Sequence, residues 1–298
     1  MILFGILAAS GGVSIVGFGY FAGGDSGSNV STVDKFDYVD DTRSTLGTGL
    51  STASRRGGGA SNQLVAGYVA LGASPSATAT VDKFAFPADT RTTLGTGLSS
   101  ARSGPAGMAN TGVAGYFAGG YTGSFVTTVD KFLFSNDSRT TLGTGVSNGT
   151  TESTGFENAG TAGYIAGLGT GDVDKFSFPA DSRTTLATGL SSATGSGAGM
   201  SNSGVAGYFA GGGYTTVDKF AFPSDSRTTL ATGLSSVRTL LAGSSVSGVA
   251  GYAAGGSSGA TKLATVDKFA FPSDTRSTLA TGLSSARDGL SGMTSAVS

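Results

Sequence analysis

The tetrapeptide Val-Asp-Lys-Phe occurs six times, beginning at Val33, Val81, Val129, Val173, Val217 and Val266, at intervals of 48, 48, 44, 44 and 49 residues. A chain that repeats itself must bury the apolar face of each unit against its neighbours, and a period of this length belongs to blades rather than to helical hairpins. Every unit has the same order. An aromatic and glycine segment such as Gly115-Tyr116-Phe117-Ala118-Gly119-Gly120 precedes a variable loop, which leads into Thr-Val-Asp-Lys-Phe-Ala-Phe with its alternation of polar and apolar residues. Alternation with period two predicts strands in both segments. A turn of the type Phe-Pro-Ser-Asp-Thr-Arg follows, in which proline presets the backbone angle at the second turn position and Asp bonds nearby amides. Thr-Thr-Leu-Gly-Thr-Gly-Leu, residues 92–98 in the second unit, is expected to form a further strand, and a Gly-, Ser- and Ala-rich segment supplies another before the next Gly-Tyr.

Four short strands written six times predict an all-β protein, a six-bladed β-propeller of four-stranded blades. Innermost strands crowd the axis and need small residues, which accounts for the Gly and Ala at 104–109, 197–202 and 242–248. Residues 286–293 repeat 101–108 in register, so the C-terminal strand is expected to complete blade one and close the ring, leaving no open sheet edge. The sequence thus divides into an apolar arm at 1–17 and a propeller at 18–298. The arm carries no charge, and Ile2, Leu3, Phe4, Ile6 and Leu7 are its candidate assembly residues. It is expected to lie along an outer strand, to plug the channel, or to pass to a neighbouring subunit by strand addition.

Composition removes several kinds of chemistry. Without Cys there is no thiolate nucleophile and no sulfur-ligated metal, and without His there is no imidazole base and no Ser-His-Asp triad. Only oxygen-ligated ions such as calcium remain possible, and no cofactor, catalytic residue or metal ligand is assigned. A net charge of -1 offers no field for nucleic acid or an anionic membrane. The longest apolar run, residues 2–9, is too short to span a bilayer, and no Lys or Arg precedes Lys35, so a secretory signal is not expected.

Of the 18 basic and 19 acidic residues, 24 belong to two repeated sets: the Asp-Lys of each Val-Asp-Lys-Phe, and the Asp-x-Arg of each turn, Asp41 with Arg43 in the first. A group needed once for catalysis has no reason to recur in every blade, whereas a turn or a blade contact does. The turn arginine is expected to reach a nearby carboxylate or carbonyl through its planar donor fork, and Asp181 to act as a turn cap. The 13 other charges look scattered, with Arg102, Arg238 and Arg287 sharing one repeat position and reading as blade-packing residues.

Variation concentrates in the loops between the Gly-Gly position and Val-Asp-Lys-Phe, which have 8, 8, 8, 4, 4 and 9 residues. The long ones, 25–32, 73–80, 121–128 and 257–265, form one arc on one face, where a partner surface would break the six-fold pattern. Asp25, Asn29, Ser74, Tyr121, Phe125 and Lys262 are its candidate contact residues, with Tyr121 and Phe125 foremost because aromatic residues dominate binding hot spots.

The order of Gly-Gly, variable loop, Val-Asp-Lys-Phe strand, apolar mark and Ser-Ala-Arg resembles the kelch repeat, with Phe36 and Leu46 and their five counterparts where that family usually carries Tyr and Trp. The wording Val-Asp-Lys-Phe-Ala-Phe-Pro-Ser-Asp-Thr-Arg also resembles kelch-like proteins of marine cyanophages over nearly the whole chain after about residue 17. That resemblance implies a non-catalytic, extracellular virion part in a tail or neck appendage. Its implied partners are other virion subunits and a host cell-surface glycan or protein, in a homo-oligomer without nucleic acid. The alternatives are a secreted filament or surface layer assembled through the arm, and a glycan-binding propeller.

Overall fold

A computed structural model describes residues 16–297. Among them there are strands and turns only. The strands form six four-stranded antiparallel sheets, each running outward from the axis, and the innermost strand of each touches the innermost strands of both neighbours. In the third blade, from the axis outward, the strands are Ala106–Asn110, Ala114–Ala118, Val129–Leu133 and Arg139–Thr141. Blade one takes its innermost strand from the other end of the chain: Ser291–Val297 pairs with Val16–Ala22, with Tyr20 opposite Met293. The ring is therefore closed by hydrogen bonds between the two ends of the described chain, as the repeat register predicts. The described strand begins at Val16, inside the stretch assigned to the arm.

One expectation about the outer part of the blade is corrected. In the second blade the outermost strand is Thr90–Thr93, and residues 94–98 leave the sheet instead of continuing it. Gly97 accounts for the departure: a Cβ there would lie 2.2 Å from the Ala79 carbonyl oxygen, so this segment packs edge-on beneath the loop rather than pairing as a strand. In the Phe-Pro turns the peptide is cis at Pro87, Pro179, Pro223 and Pro272, and the turn aspartate has a positive φ. Asp41, Asp89, Asp137, Asp181, Asp225 and Asp274 all have φ between 55° and 60°, a left-handed region that Asp tolerates better than most side chains.

At the axis, six glycines form the narrowest level. A Cβ on Gly59 would lie 1.9 Å from the Gly292 carbonyl oxygen, one on Gly107 1.9 Å from that of Gly59, and the relation continues through Gly155, Gly199 and Gly243 back to Gly292. Any side chain at these positions would be driven into the neighbouring backbone, so blade spacing and glycine require each other.

Apolar contacts fill the seams between blades. The tyrosine of each second strand stacks on an aromatic ring of the next blade: Tyr20 on Phe86, Tyr68 on Phe134, Tyr116 on Phe178, Tyr164 on Phe222, Tyr208 on Phe271 and Tyr252 on Tyr38, at centroid distances of 4.2–5.4 Å. Offset stacks of this kind add about 0.5–1.5 kcal/mol each beyond their buried area.

The repeated charges join the same seams, and their pairing differs from their order in the sequence. Lys131 bonds Asp181 of the following blade at 2.6 Å, and Tyr116 donates to the other oxygen of that carboxylate at 2.8 Å. The equivalent Lys and Tyr of every blade hold the turn aspartate of the next one, through to Lys268 and Tyr252 on Asp41. Asp181 is therefore more than a turn cap: it is an inter-blade acceptor, and the reading of it as a local turn residue is extended accordingly. The turn arginine does reach a carboxylate, but that of the Val-Asp-Lys-Phe aspartate in its own blade, as Arg139 does with Asp130 at 3.4 Å.

That aspartate is the second hub. Asp130, fully buried, accepts bonds from the Thr141 hydroxyl at 2.6 Å and the Ser99 amide at 2.8 Å, and faces Arg102 at 3.0 Å, with Ser99 and Arg102 arriving from the preceding blade. Arg238 with Asp267 and Arg287 with Asp34 repeat the arrangement, and all three arginines have no exposed surface. Their reading as blade-packing residues is borne out. At the other three seams Ser54, Thr150 and Thr194 occupy the arginine position, and Asp82, Asp174 and Asp218 rely on the serine amide, a threonine hydroxyl and the turn arginine. Burial pushes the Asp130 carboxyl up, but Thr141, Ser99 and Arg102 outweigh it and hold it below the usual carboxylate range. Asp34 is depressed in the same way, with burial opposed by Arg287, Thr45 and Ser284.

Candidate binding face on the loop side

The strand connections that vary in length emerge on one face, together with the segments that lead from each outermost strand to the next blade's innermost strand. Their backbones interlock. Asp25 bridges Asp288, Arg55 bridges Ala73, Ser103 bridges Tyr121 and Thr239 bridges Ser257, so each long loop is tied to the strand-crossing segment beside it. Two of the loops, in blades two and six, contain small hairpins of their own, Ala73–Ser74 with Ser76–Ala77 and Ser257–Ser258 with Thr261–Lys262.

Around the channel mouth on this face, six residues with positive φ form a closed ring of backbone hydrogen bonds. Arg56 donates to the Gly289 carbonyl, Gly104 to Arg56, Glu152 to Gly104, Ser196 to Glu152, Leu240 to Ser196 and Gly289 to Leu240, at 2.7–2.9 Å. Their φ values lie between 56° and 66°, yet only two of the six are glycine. The four that carry side chains put an arginine, a glutamate, a serine and a leucine at the mouth. Arg56 Nε pairs with Glu152 Oε1 at 2.9 Å, and the Ser196 hydroxyl donates to Glu152 Oε2 at 2.7 Å. The mouth leads to a narrow cavity of about 90 Å³ that ends at the glycine level, too small for more than a few water-sized groups.

The larger opening on this face lies off the axis, above blades one and two. It is an open depression of about 470 Å³ lined by Asp25, Asn29, Thr52, Arg55, Ser74 and Pro75 among others. Asp25 sits at its base, nearly buried, and its two carboxylate oxygens are taken by different cations: Oδ2 by Arg55 at 2.5 Å and Oδ1 by Lys262 from blade six. Oδ1 also accepts the Gly27 amide at 2.8 Å. The Lys262 ammonium, first of these partners, holds the Asp25 carboxyl below its ordinary range. Asn29 donates to the Ala73 carbonyl at 3.0 Å and Ser74 to that of Ala53, which fixes the walls. The Arg55 side chain remains 41% exposed and Lys262 25%, so two cationic groups carry donors toward solvent at one rim.

The structure thus brings together four of the six sequence candidates, Asp25, Asn29, Ser74 and Lys262. Tyr121 and Phe125 form a separate edge-to-face pair at the tip of the third blade's loop, 5.4 Å apart and 42% and 59% exposed. Neither lines the depression. Arg55, Arg56 and Glu152 were not singled out by sequence reasoning. Spacing alone could not gather these charges, because Arg56 and Glu152 meet across the axis from segments two blades apart. The signal that finds them is the break in the repeat: Arg56 and Glu152 fill one repeat position that holds Gly104, Ser196, Leu240 and Gly289 elsewhere, and Arg55 shares its position with Asp288 and four uncharged residues. The arm residues Ile2, Leu3, Phe4, Ile6 and Leu7 lie outside the described residues.

The opposite face carries the inner hairpin turns. There Glu157 replaces the small residue found in the other blades at the channel wall, beside Ser61, Ser201, Ser245 and Thr294. All four of these hydroxyls accept the backbone amide of the preceding blade, Ser201 from Glu157, Ser245 from Ser201, Thr294 from Ser245, and Ser61 from Thr294. Burial raises the Glu157 carboxyl to about 7. Among the described residues no group of three or more His, Cys, Asp or Glu is placed to hold a metal ion, and no helix is long and apolar enough to cross a membrane.

No family model matches the chain, and no curated protein matches it in sequence. Solved structures do match. One, described as "Structure of YjhT", aligns over 79% of this chain and 86% of its own with a TM-score of 0.64 at 14% identity. At that identity the likeness establishes the fold: this chain is a six-bladed β-propeller with four-stranded blades.

Proposed function

We propose that the chain is a non-catalytic binding propeller of a virion appendage, engaging a partner through its loop face. The observation that carries the reading is the separation of charge. The repeated aspartates and lysines are committed to seams between blades, whereas Asp25, Arg55 and Lys262, which occur once, meet at one depression on the face where loop length varies. The exposed donors of Arg55 and Lys262 over an acidic base suit a partner that presents carboxylate or hydroxyl groups, such as an acidic or neutral surface glycan, or an acidic loop of another subunit. Tyr121 and Phe125 add an aromatic contact on the same face. The virion setting is supported by the resemblance of the repeat wording to cyanophage kelch-like proteins, and the absence of Cys and His fits a role without chemistry.

Immunogold electron microscopy with an antibody to this chain tests the setting: label on a tail or neck structure is expected, and label on cell-borne filaments without particles overturns it. Attachment of the purified chain to isolated particles and to host envelope polysaccharide tests the face. The double variant Arg55→Gln, Lys262→Gln should lose most of the attachment while remaining folded at the assay temperature, with a melting temperature lowered by the loss of both cations from Asp25; undiminished attachment would remove the face from the account.

A further inference from the structure

The hairpin-turn face opens into a cavity of about 800 Å³ with a mixed lining. Gln63, Thr111, Asn158, Ser203 and Ser247 bring amides and hydroxyls, Leu64 and Val246 bring apolar surface, and Glu157 is the one ionisable group. Glu157 and Ser201 also line the narrower space of about 50 Å³ at the channel wall, so the carboxyl stands where the opening meets the channel. A concave space of this size, part apolar with a few polar groups, suits a small molecule or a single side chain.

Most polar groups of the wall are already engaged. Ser203 accepts the Ala159 amide at 2.9 Å, Ser247 the Ser203 amide at 2.8 Å, and Asn158 Oδ1 the Gly204 amide at 2.9 Å. Two groups are left over. The Thr111 hydroxyl is buried without a partner. The Glu157 carboxyl has no hydrogen bond or cation among the described residues, and burial alone acts on it, raising it to about 7.

What is left over selects the guest. No Lys or Arg lines the opening among the described residues, which disfavours an anion. One carboxyl is too little charge for calcium, which takes six to eight oxygens, several of them from carboxylates. A neutral polyol leaves the carboxylate without a countercharge. An ammonium group supplies that charge, and its three donors suit the carboxylate and the hydroxyls around it.

We infer that the hairpin-side cavity binds a primary ammonium on an unbranched apolar stem, with the charge at Glu157 and the stem against Leu64 and Val246. This chemistry is shared by a lysine side chain of a partner and by a free alkylamine. The inference is independent of the loop-face reading, which concerns the other end of the channel.

Binding of this kind has a pH signature. The strands packed against Thr154–Asn158 are Ala106–Asn110, Ala162–Ala166, Gly197–Asn202 and Ala206–Gly211. Their titratable residues are Tyr164 and Tyr208, whose hydroxyls donate to Asp225 and Asp274, so Glu157 is the group that titrates near neutrality. An ammonium beside it favours its ionised form, while the guest, like a lysine side chain, keeps its proton up to about pH 10. Between pH 8 and pH 6 the ionised fraction of Glu157 falls about tenfold, and affinity falls with it.

Titration of the full-length protein with n-pentylammonium chloride, followed by saturation-transfer NMR, tests the inference, with 1-pentanol as the neutral guest of similar shape. Binding about tenfold weaker at pH 6 than at pH 8 is expected, with pentanol much the weaker guest at pH 8. Glu157→Gln and Glu157→Ser should both lose the ammonium; the second gives the wall the residue that blade five carries there, Ser201, and thermal melts check that each variant is folded. Nα-acetyl-lysine methylamide and spermidine, titrated alongside, separate the two sources by which binds more tightly. Absence of saturable pentylammonium binding overturns the inference. So does binding that survives both Glu157 variants, which assigns the ammonium to surface carboxylates, or pentanol binding as tightly as the ammonium.

Discussion

Arg102 and Arg55 are chemically the same and sit one blade apart in the repeat, yet they do opposite things. Arg102 has no exposed surface and faces the buried Asp130 at 3.0 Å inside a blade seam, while Arg55 is 41% exposed above Asp25 on the loop face. The seam aspartate is tied to both blades by two serine and threonine hydroxyls, a backbone amide and two guanidinium groups. At the loop face the bonds fix the shape of a depression, but no strand pairing depends on them. A charge that recurs at a seam, in all six blades for the aspartate and in three for the arginine of Arg102, is therefore part of the ring's mechanics, whereas Arg55 on the face of variable loops keeps surface open to solvent.

The comparison can be broken most forcefully at the seam. Asp130→Ala leaves Arg102 buried without its carboxylate and strips Ser99 and Thr141 of their acceptor, so a loss of about 3–5 kcal/mol in unfolding free energy is expected from urea titration. Asp181→Ala removes the acceptor of Lys131 and Tyr116 and places alanine at a φ of 55°, and should cost about 1–3 kcal/mol by the same measurement. A loss no larger than that of a surface substitution would return Asp181 to the role of a plain turn residue.

Acidity sharpens the contrast further. Asp34 and Asp130 titrate lower folded than unfolded, so the stability they contribute is complete above the unfolded value of about 3.9 and is lost as pH falls through the folded one. In a Glu157→Gln background, where these two set the trend, melting temperature should hold from pH 7 to 5 and drop below about 4. Glu157 runs the other way: its folded value, about 7, lies above the unfolded one of about 4.3, so its contribution is complete below that lower value and fades as pH rises toward neutrality. Glu157→Gln should therefore narrow the gap in melting temperature between pH 5 and pH 8; an unchanged gap contradicts the burial argument. The smallest effect belongs to the loop tip, where replacing both Tyr121 and Phe125 with alanine should alter unfolding free energy by only about 0.5 kcal/mol.

Much of this architecture was legible before the coordinates. Six copies of one strand pattern, and a C-terminal segment in register with 101–108, carry the closed ring because each unit must find a neighbour for its apolar face. The partners of the charges were not legible. Asp34 and Lys35 are adjacent in sequence but point to opposite sides of a strand, so Asp34 turns inward to the Arg287 of one neighbour and Lys35 outward to the Asp89 of the other. The outermost strand was placed too late because the Leu-Gly-Thr-Gly-Leu stretch has the alternation of a strand, while its glycines serve close packing under a loop. On the loop face, loop length pointed to the arc that holds Asp25 and Lys262, but the mouth ring of Arg56, Glu152 and Ser196 depends on a closed circuit of backbone bonds that has no local signature.

The most direct test sets the two arginines against each other with one substitution and one readout. Thermal unfolding of Arg102→Gln and Arg55→Gln should show a fall of several degrees for the first, because the buried Asp130 then keeps only Arg139 as a cation, and a change of about a degree or two for the second. Equal melting temperatures for the two variants, or a larger fall for Arg55→Gln, would contradict the division of charge on which both the fold and the binding face are argued.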